Sequence, residues 1–328
     1  DPAAARQSYE MAVTMDPNHV HSLQALGNLD VAAERWESAY QLLDRYSRLI
    51  VESEREPVLM QLADIALEHL GEGKIAIDVL SRGIKSAGPE LLERLGRMYL
   101  ASDDLQRAAH CLSRAVDAAS DVQTISRLAY ELGQLYDKQL GNEVLAIDAY
   151  NKALDAQPTN TRAFEDIEAL LVKRQEWRLL EQNYRAMLTR SRELSPRFRL
   201  VLWRHLASLY AKVFDDVDNA IMAYEVVGKM APASLEDQYA LAGLYGRRDD
   251  LRERAIELEH GFLGDADELV GGIRRLKQLY HREADFDAVY QCCAVLHALD
   301  STDEDEFETF RHLGRGLKSW PDGALNDE

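Results

Sequence analysis

The chain has only three cysteines in 328 residues, Cys111, Cys292 and Cys293, and two of them are neighbours. An odd number without a C-x-x-C spacing argues against a disulfide framework and fits a reducing, cytoplasmic compartment. Long hydrophobic runs are missing as well, for none approaches the roughly 18 apolar residues of a membrane span. Positive charge is in short supply: 38 Lys and Arg face 57 Asp and Glu, a formal charge of −19. That disfavours nucleic acid as a partner, because such binding rests on neutralised phosphates. Strand-like alternation is absent too. No signal sequence is visible, and a start at Asp1-Pro2 without methionine is expected of a piece of a longer chain.

What remains is an ordinary foldable composition, 46% hydrophobic and 29% charged. Apolar residues recur at helical spacing almost throughout, so the class is all-α. Turn signals divide the chain at Asp16-Pro17-Asn18, Gly71-Glu72-Gly73, Gly88-Pro89, Gln157-Pro158, Ser195-Pro196 and Ala231-Pro232. The helices between them, about 12–15 residues each, are too short to be stable alone. A small residue recurs as Ala5, Ala39, Ala76, Ala108, Ala146, then Leu180 and Ala220, at spacings of 34, 37, 32, 38, 34 and 40. Weaker anchors follow at Ala255 and Ala288. A second small residue precedes most anchors: Gly27, Ala63, Gly96, Gly133, Ala207 and Ala242. Tyr99, Tyr136, Tyr210 and Tyr245 each follow one of these by three positions. Glu168 and Lys277 break the small-residue position, and the unit around Arg254 lacks the aromatic of its second helix.

Leu132-Gly133-x2-Tyr136, Ala146-x3-Tyr150 and Pro158 resemble the tetratricopeptide repeat family, with Leu92 to Ala115 a second match. The resemblance covers nearly the whole chain. It implies a right-handed α-solenoid of helix–turn–helix repeats over 1–300, a leading second helix and seven to eight pairs. Residues 301–328 are then a terminal helix and tail, a cap or the start of a further repeat, with Phe310, Leu313-Gly314 and Leu317 at first-helix spacing. The C-terminal part is also similar to very large repeat proteins of myxobacteria, which implies no activity. Ser301 with Glu304 is the expected cap of the last helix. Gly71–Lys74, Gly141–Val144 and Asp215–Asn219 are longer turns than the pattern needs.

No motif carries chemistry. His281, Cys292, Cys293 and His297 offer metal-ligating atoms, but no H-E-x-x-H or paired C-x-x-C accompanies them, and a cysteine at a second-helix core position is the plainer reading. Gly71-x-Gly73-Lys74 lacks the spacing of a phosphate-binding loop and reads as a turn. The expectation is therefore a non-enzymatic protein, with no cofactor and no metal. Some family members hold a peptide carboxylate in a Lys, Asn and Arg clamp. Here Asn28 fits, but Gln24 and Asp64 replace the expected Lys and second Asn, so that role is not carried over.

In this family the first helices line a concave face where partners lie. Mapping the units places Arg127, Tyr130, Arg162, Arg204, His205, Lys212, Tyr239, Arg247, Arg274, Arg275 and Gln278 there. The stretch from Arg197 to Lys212 contains no acid, nor does Arg274 to Arg282. The resulting expectation is a basic wall with most carboxylates elsewhere, binding an acidic peptide or helix of a protein partner. A solvated face with incidental arginines is the blander reading. The alternative function is an assembly module that stacks end to end, self-associating through exposed ends. A helical-repeat RNA binder is disfavoured by the charge, and neither nucleic acid nor membrane is an expected partner.

Overall fold

Side chains that stop the chain and accept amide protons head many of the helices. Asp104, Asp121, Asn142, Ser195, Asp216, Ser234 and Asp285 each accept a hydrogen bond from a backbone N–H of the first turn. In this computed structural model, which describes residues 2–190, 195–232, 234–264 and 269–314, eighteen α-helices result and no strand occurs among those residues. They are α1 (Pro2–Met15), α2 (Val20–Ala32), α3 (Trp36–Leu49), α4 (Glu52–Asp64), α5 (Gly73–Arg82), α6 (Pro89–Ala101), α7 (Leu105–Ala118), α8 (Val122–Lys138) and α9 (Glu143–Ala156). There follow α10 (Thr161–Lys173), α11 (Trp177–Arg190), α12 (Pro196–Leu209), α13 (Val217–Met230), α14 (Leu235–Tyr245), α15 (Arg252–Phe262), α16 (Leu269–Arg282), α17 (Phe286–Ala298) and α18 (Glu304–Gly314).

Two compact units contain them: Asp1–Glu176 with Thr189–Glu193, and Trp177–Leu188 with Leu194–Glu328. Within the first unit α2/α3, α4/α5, α6/α7 and α8/α9 are antiparallel hairpins, with α1 against α2 and α10 against α9. The second unit has the hairpins α12/α13, α14/α15 and α16/α17, and α18 packs on α17. We term the first helix of a hairpin A and the second B.

The small residues of A helices lie under large side chains of their own B helices. A Cβ on Gly27 would stand 2.7 Å from Leu43, and one on Gly96 3.0 Å from Leu112. On Gly133 it would overlap the ring of Tyr150, which is fully buried. Tyr150 thus closes its own hairpin. Four residues after each anchor from Ala39 onward, Leu43, Leu80, Leu112, Tyr150, Tyr184, Tyr224, Glu259 and Cys292 are all buried, whereas Tyr9 after Ala5 is half-buried. One of these core positions holds a carboxylate.

The A-to-B turns are of two kinds. Short ones place Glu34, Asp103 or Ala284 in the left-handed region at φ 57°, 60° and 57°. The next amide then closes on a carbonyl five residues back: Arg35 on Asp30, Asp104 on Tyr99, Asp285 on Tyr280. Long turns first widen the helix by an i→i+5 bond, Leu70 to Ile65 and Leu140 to Leu135, with Tyr210–Phe214 a complete π turn. Gly71, Gly141 and Asp215 are left-handed there, and Glu72, Asn142 and Asp216 reach back six residues at 2.8, 2.8 and 2.9 Å. These three turns follow α4, α8 and α12, which are alternate A helices. The alternation of the anchor spacings is their imprint.

The last helix departs from expectation. Its cap is Asp303, whose carboxylate accepts from the Glu306 amide at 2.7 Å while Glu306 accepts from the Asp303 amide at 3.0 Å. Ser301 instead donates its hydroxyl to the Leu299 carbonyl. Leu317, expected on the same helix, lies outside the described residues.

Replacing Gly133 with Leu should lower stability by about 1–3 kcal/mol through overpacking against Tyr150. Gly228, inside α13 with nothing within 4 Å of an added Cβ, should gain about 0.5–1 kcal/mol on substitution by Ala. Thermal unfolding of the two variants checks both signs.

Candidate protein-binding surface

Equivalent positions of successive A helices lie side by side, so a charge on one faces its counterpart one repeat later. In the first unit Arg127 of α8 grips Glu93 of α6 with two bonds of 2.8 and 2.9 Å, and Arg97 of α6 reaches both Glu93 and Glu131. The hydrogen bonds from Arg127 hold the Glu93 carboxyl below its usual range. Arg94 pairs with Asp64 of α4. Tyr130 is half-buried, accepts from the Gln134 amide at 3.1 Å, and with Tyr150 faces the Asp166 carboxylate. Arg162 is exposed.

The second unit carries the other expected residues, and here the basic wall needs correction. Carboxylates stand among the arginines. Arg204 of α12 donates to Asp237 at 2.7 and 2.9 Å, and Asp237 is itself buried in the capping box of α14. Arg274 donates to Glu306 at 3.1 and 3.3 Å and to the Ser301 carbonyl at 2.8 Å, and Lys277 reaches the same carboxylate at 2.7 Å. Burial alone would raise the Glu306 carboxyl, but the bonds from Arg274 and Lys277 outweigh it and hold it at about 2. Arg275 donates to both oxygens of Glu259 at 3.0 Å, with its guanidinium 5.1 Å from the centre of the Tyr239 ring.

Glu259 and Glu306 are 2% and 1% exposed, so these arginines answer a charge buried by the fold. Arg247 differs: it meets Asp215 at 2.8 Å where both side chains are in solvent. His205 lies 3.3 Å from the Tyr184 hydroxyl. Lys212 is exposed. Gln278 lines a cleft of about 310 Å³ with His281, Arg282, Val289, Asp305 and Thr309.

The residues missed by sequence reading are these carboxylate partners. Their signal was available, since Asp237 and Glu306 lie 33 and 32 positions after their arginines, close to one repeat. Cys292 and Cys293 are buried in the core beside α16, while His297 is exposed and lies against Phe307 and Phe310. No group of three or more His, Cys, Asp or Glu suited to a metal ion occurs among the described residues, and none of their helices is long and apolar enough to cross a membrane.

Stacked antiparallel hairpins with small-on-large packing define a helical-repeat protein of the α-solenoid class. Residues 126–160, which span most of α8 and all of α9, match the tetratricopeptide repeat family, and the chain carries that repeat. No curated protein matches the chain. Among solved structures it is similar to the C-terminal part of a TPR repeat-containing protein from Cytophaga hutchinsonii, at 12% identity over 73% of this chain and 94% of that one, with a TM-score of 0.36. A tetratricopeptide repeat protein from Parabacteroides merdae is 16% identical over 78% and 97%, with a TM-score of 0.31. The TPR domain of P58(IPK) is 17% identical over 97% and 94%, with a TM-score of 0.28.

Buried and exposed pairs should separate on mutation. Arg275→Ala removes the guanidinium from which both oxygens of buried Glu259 accept and should cost about 3–5 kcal/mol, whereas Arg247→Ala should cost under about 1 kcal/mol. Because the Glu306 carboxyl is lowered on folding, it adds stability above its ordinary range that is lost as pH falls toward about 2. Glu306→Gln should therefore flatten the acid side of the stability curve. Urea unfolding across that pH range measures it.

Proposed function

We propose that the chain is a non-enzymatic protein-interaction scaffold whose A-helix faces hold an acidic segment of a partner protein. The observation that carries this reading is the division among its cations. Arg204, Arg274 and Arg275 are committed to buried carboxylates, but Arg162 and Lys212 have no carboxylate partner among the described residues. The partner of Arg247 is exposed and exchangeable, since such pairs are worth about 0–1 kcal/mol. Arg162 and Tyr130 form one contact set in the first unit, and Lys212, Arg247 and His205 form another in the second. All three cysteines are free and buried, which suits a reducing cytoplasm.

A fluorescein-labelled peptide rich in Glu and Asp should bind at low salt and weaken as the Debye length shrinks from about 10 Å to about 3 Å at 1 M. Lys212→Glu with Arg247→Glu should weaken it at least about tenfold with an unchanged melting temperature, each reversal removing about 1 kcal/mol of attraction or more. Equal binding of a Lys-rich peptide, or no loss in the double variant, would count against the reading. Met11 and Met15, 67% and 84% exposed on α1, favour a second reading, assembly between copies. Sedimentation that stays monomeric at high concentration would remove it.

A further inference from the structure

Tyr136 and Tyr210 occupy the same place, five residues before the left-handed residue of a long turn. In the second unit the Tyr210 hydroxyl is committed. It donates to Glu181 Oε1 at 2.6 Å and accepts from Arg185 Nη2 at 2.7 Å, both on α11. Counted from the anchors Leu180 and Ala108, Glu181 corresponds to Ala109 of α7 and Arg185 to Ser113. At the first long turn the aromatic comes from the opposite wall, with Tyr40 at the Ala109 position and Ala66 at the Tyr136 position. Only the middle turn has small side chains on α7 facing a tyrosine.

The result is a cleft of about 280 Å³ between α7 and the turn from α8 to α9, lined by Gln106, Ala109, His110, Ser113, Tyr136 and Asn142 among others. The side chains of Gln106, His110, Ser113 and Tyr136 make no hydrogen bond or ion pair among the described residues. Asn142 uses its side-chain oxygen on the Leu145 amide, which leaves its N–H groups. No carboxylate lines the cleft, in a chain of net charge −19. Five side chains can donate a hydrogen bond into it, and the acceptor that Tyr210 finds in Glu181 is missing beside Tyr136.

We propose that this cleft is a second binding site, which takes the side-chain carboxylate of a glutamate or aspartate from a partner protein where Glu181 sits beside Tyr210. A carboxylate only accepts hydrogen bonds, so it matches a wall of donors. A carboxamide spends half of its polar atoms as donors and matches less well. The site uses none of the A-face residues assigned above, so the two readings fail separately.

The test is a ¹H–¹⁵N titration with N-acetyl-Ala-Glu-Ala-amide and its Gln analogue. The Glu peptide should shift the amides of Gln106, His110, Ser113 and Asn142, and the Gln peptide should bind about tenfold more weakly. Tyr136→Phe, which removes one donor and little volume, should weaken the Glu peptide about tenfold while keeping the helical circular dichroism. Ala109→Glu with Ser113→Arg rebuilds the pair of the second unit and should abolish the response, whereas Lys212→Glu with Arg247→Glu should leave it intact. Equal affinity for both peptides, shifts located elsewhere, or undiminished binding by Tyr136→Phe would overturn the proposal.

Discussion

The ring of Tyr150 lies where any side chain on Gly133 would have to stand, and similar contacts join Leu43 to Gly27 and Leu112 to Gly96. Two helices packed at about 8–10 Å have room at their crossing for one large side chain against one small one. In a stack of hairpins each unit touches only its neighbours, so this contact supplies much of the core that a hairpin owns. From Ala39 onward the position four residues after the anchor is therefore buried whatever occupies it. Leu and Tyr satisfy it directly. Glu259 does not, and its carboxylate obliges Arg275 on the next A helix to answer it, with Tyr239 beside the guanidinium. A departure from the pattern in α15 thus fixes the role of a residue on α16.

The same geometry governs the surface charges. Side chains one repeat apart face each other across neighbouring helices, so like charges at equivalent positions would repel along a whole face. Opposite charges occur instead: Glu93 faces Arg127, Arg97 faces Glu131, and Asp215 faces Arg247. A net charge of −19 is compatible with neutral rows of this kind. What a partner can use is then set by burial, since an arginine bound to a carboxylate in the core is part of the packing and one bound in solvent is available for exchange.

Much of the fold was legible because small residues and helical spacing report the hairpin directly. The anchor spacings also held the alternation of short and long turns, visible once Gly71, Gly141 and Asp215 are recognised as the same left-handed position. The short turns were harder to read. Glu34, Asp103 and Ala284 adopt positive φ without being glycine, because the closing bond five residues back and the packing of the hairpin hold them there. The candidate surface was misread for a related reason. Arg197 to Lys212 contains no acid in the sequence, but the partner of Arg204 is Asp237, one repeat away rather than one turn away. In a repeat protein the neighbour that matters stands about 34 positions along.

That offset also locates places where function has room. When every repeat satisfies its neighbour, a stack presents no open groups, and specificity must come from a position where one copy lacks what the others supply. Tyr210 has its carboxylate and guanidinium from the preceding helix; Tyr136, in the same setting, has a methyl and a hydroxyl. The hydroxyl of Tyr136 loses nothing essential to the fold by lacking them, because the turn behind it is closed by backbone bonds from Leu140 and Asn142. Stability and vacancy are thereby uncoupled at this one turn. A cleft whose turn is closed by backbone bonds needs little rearrangement to receive a ligand, which lowers the cost of binding.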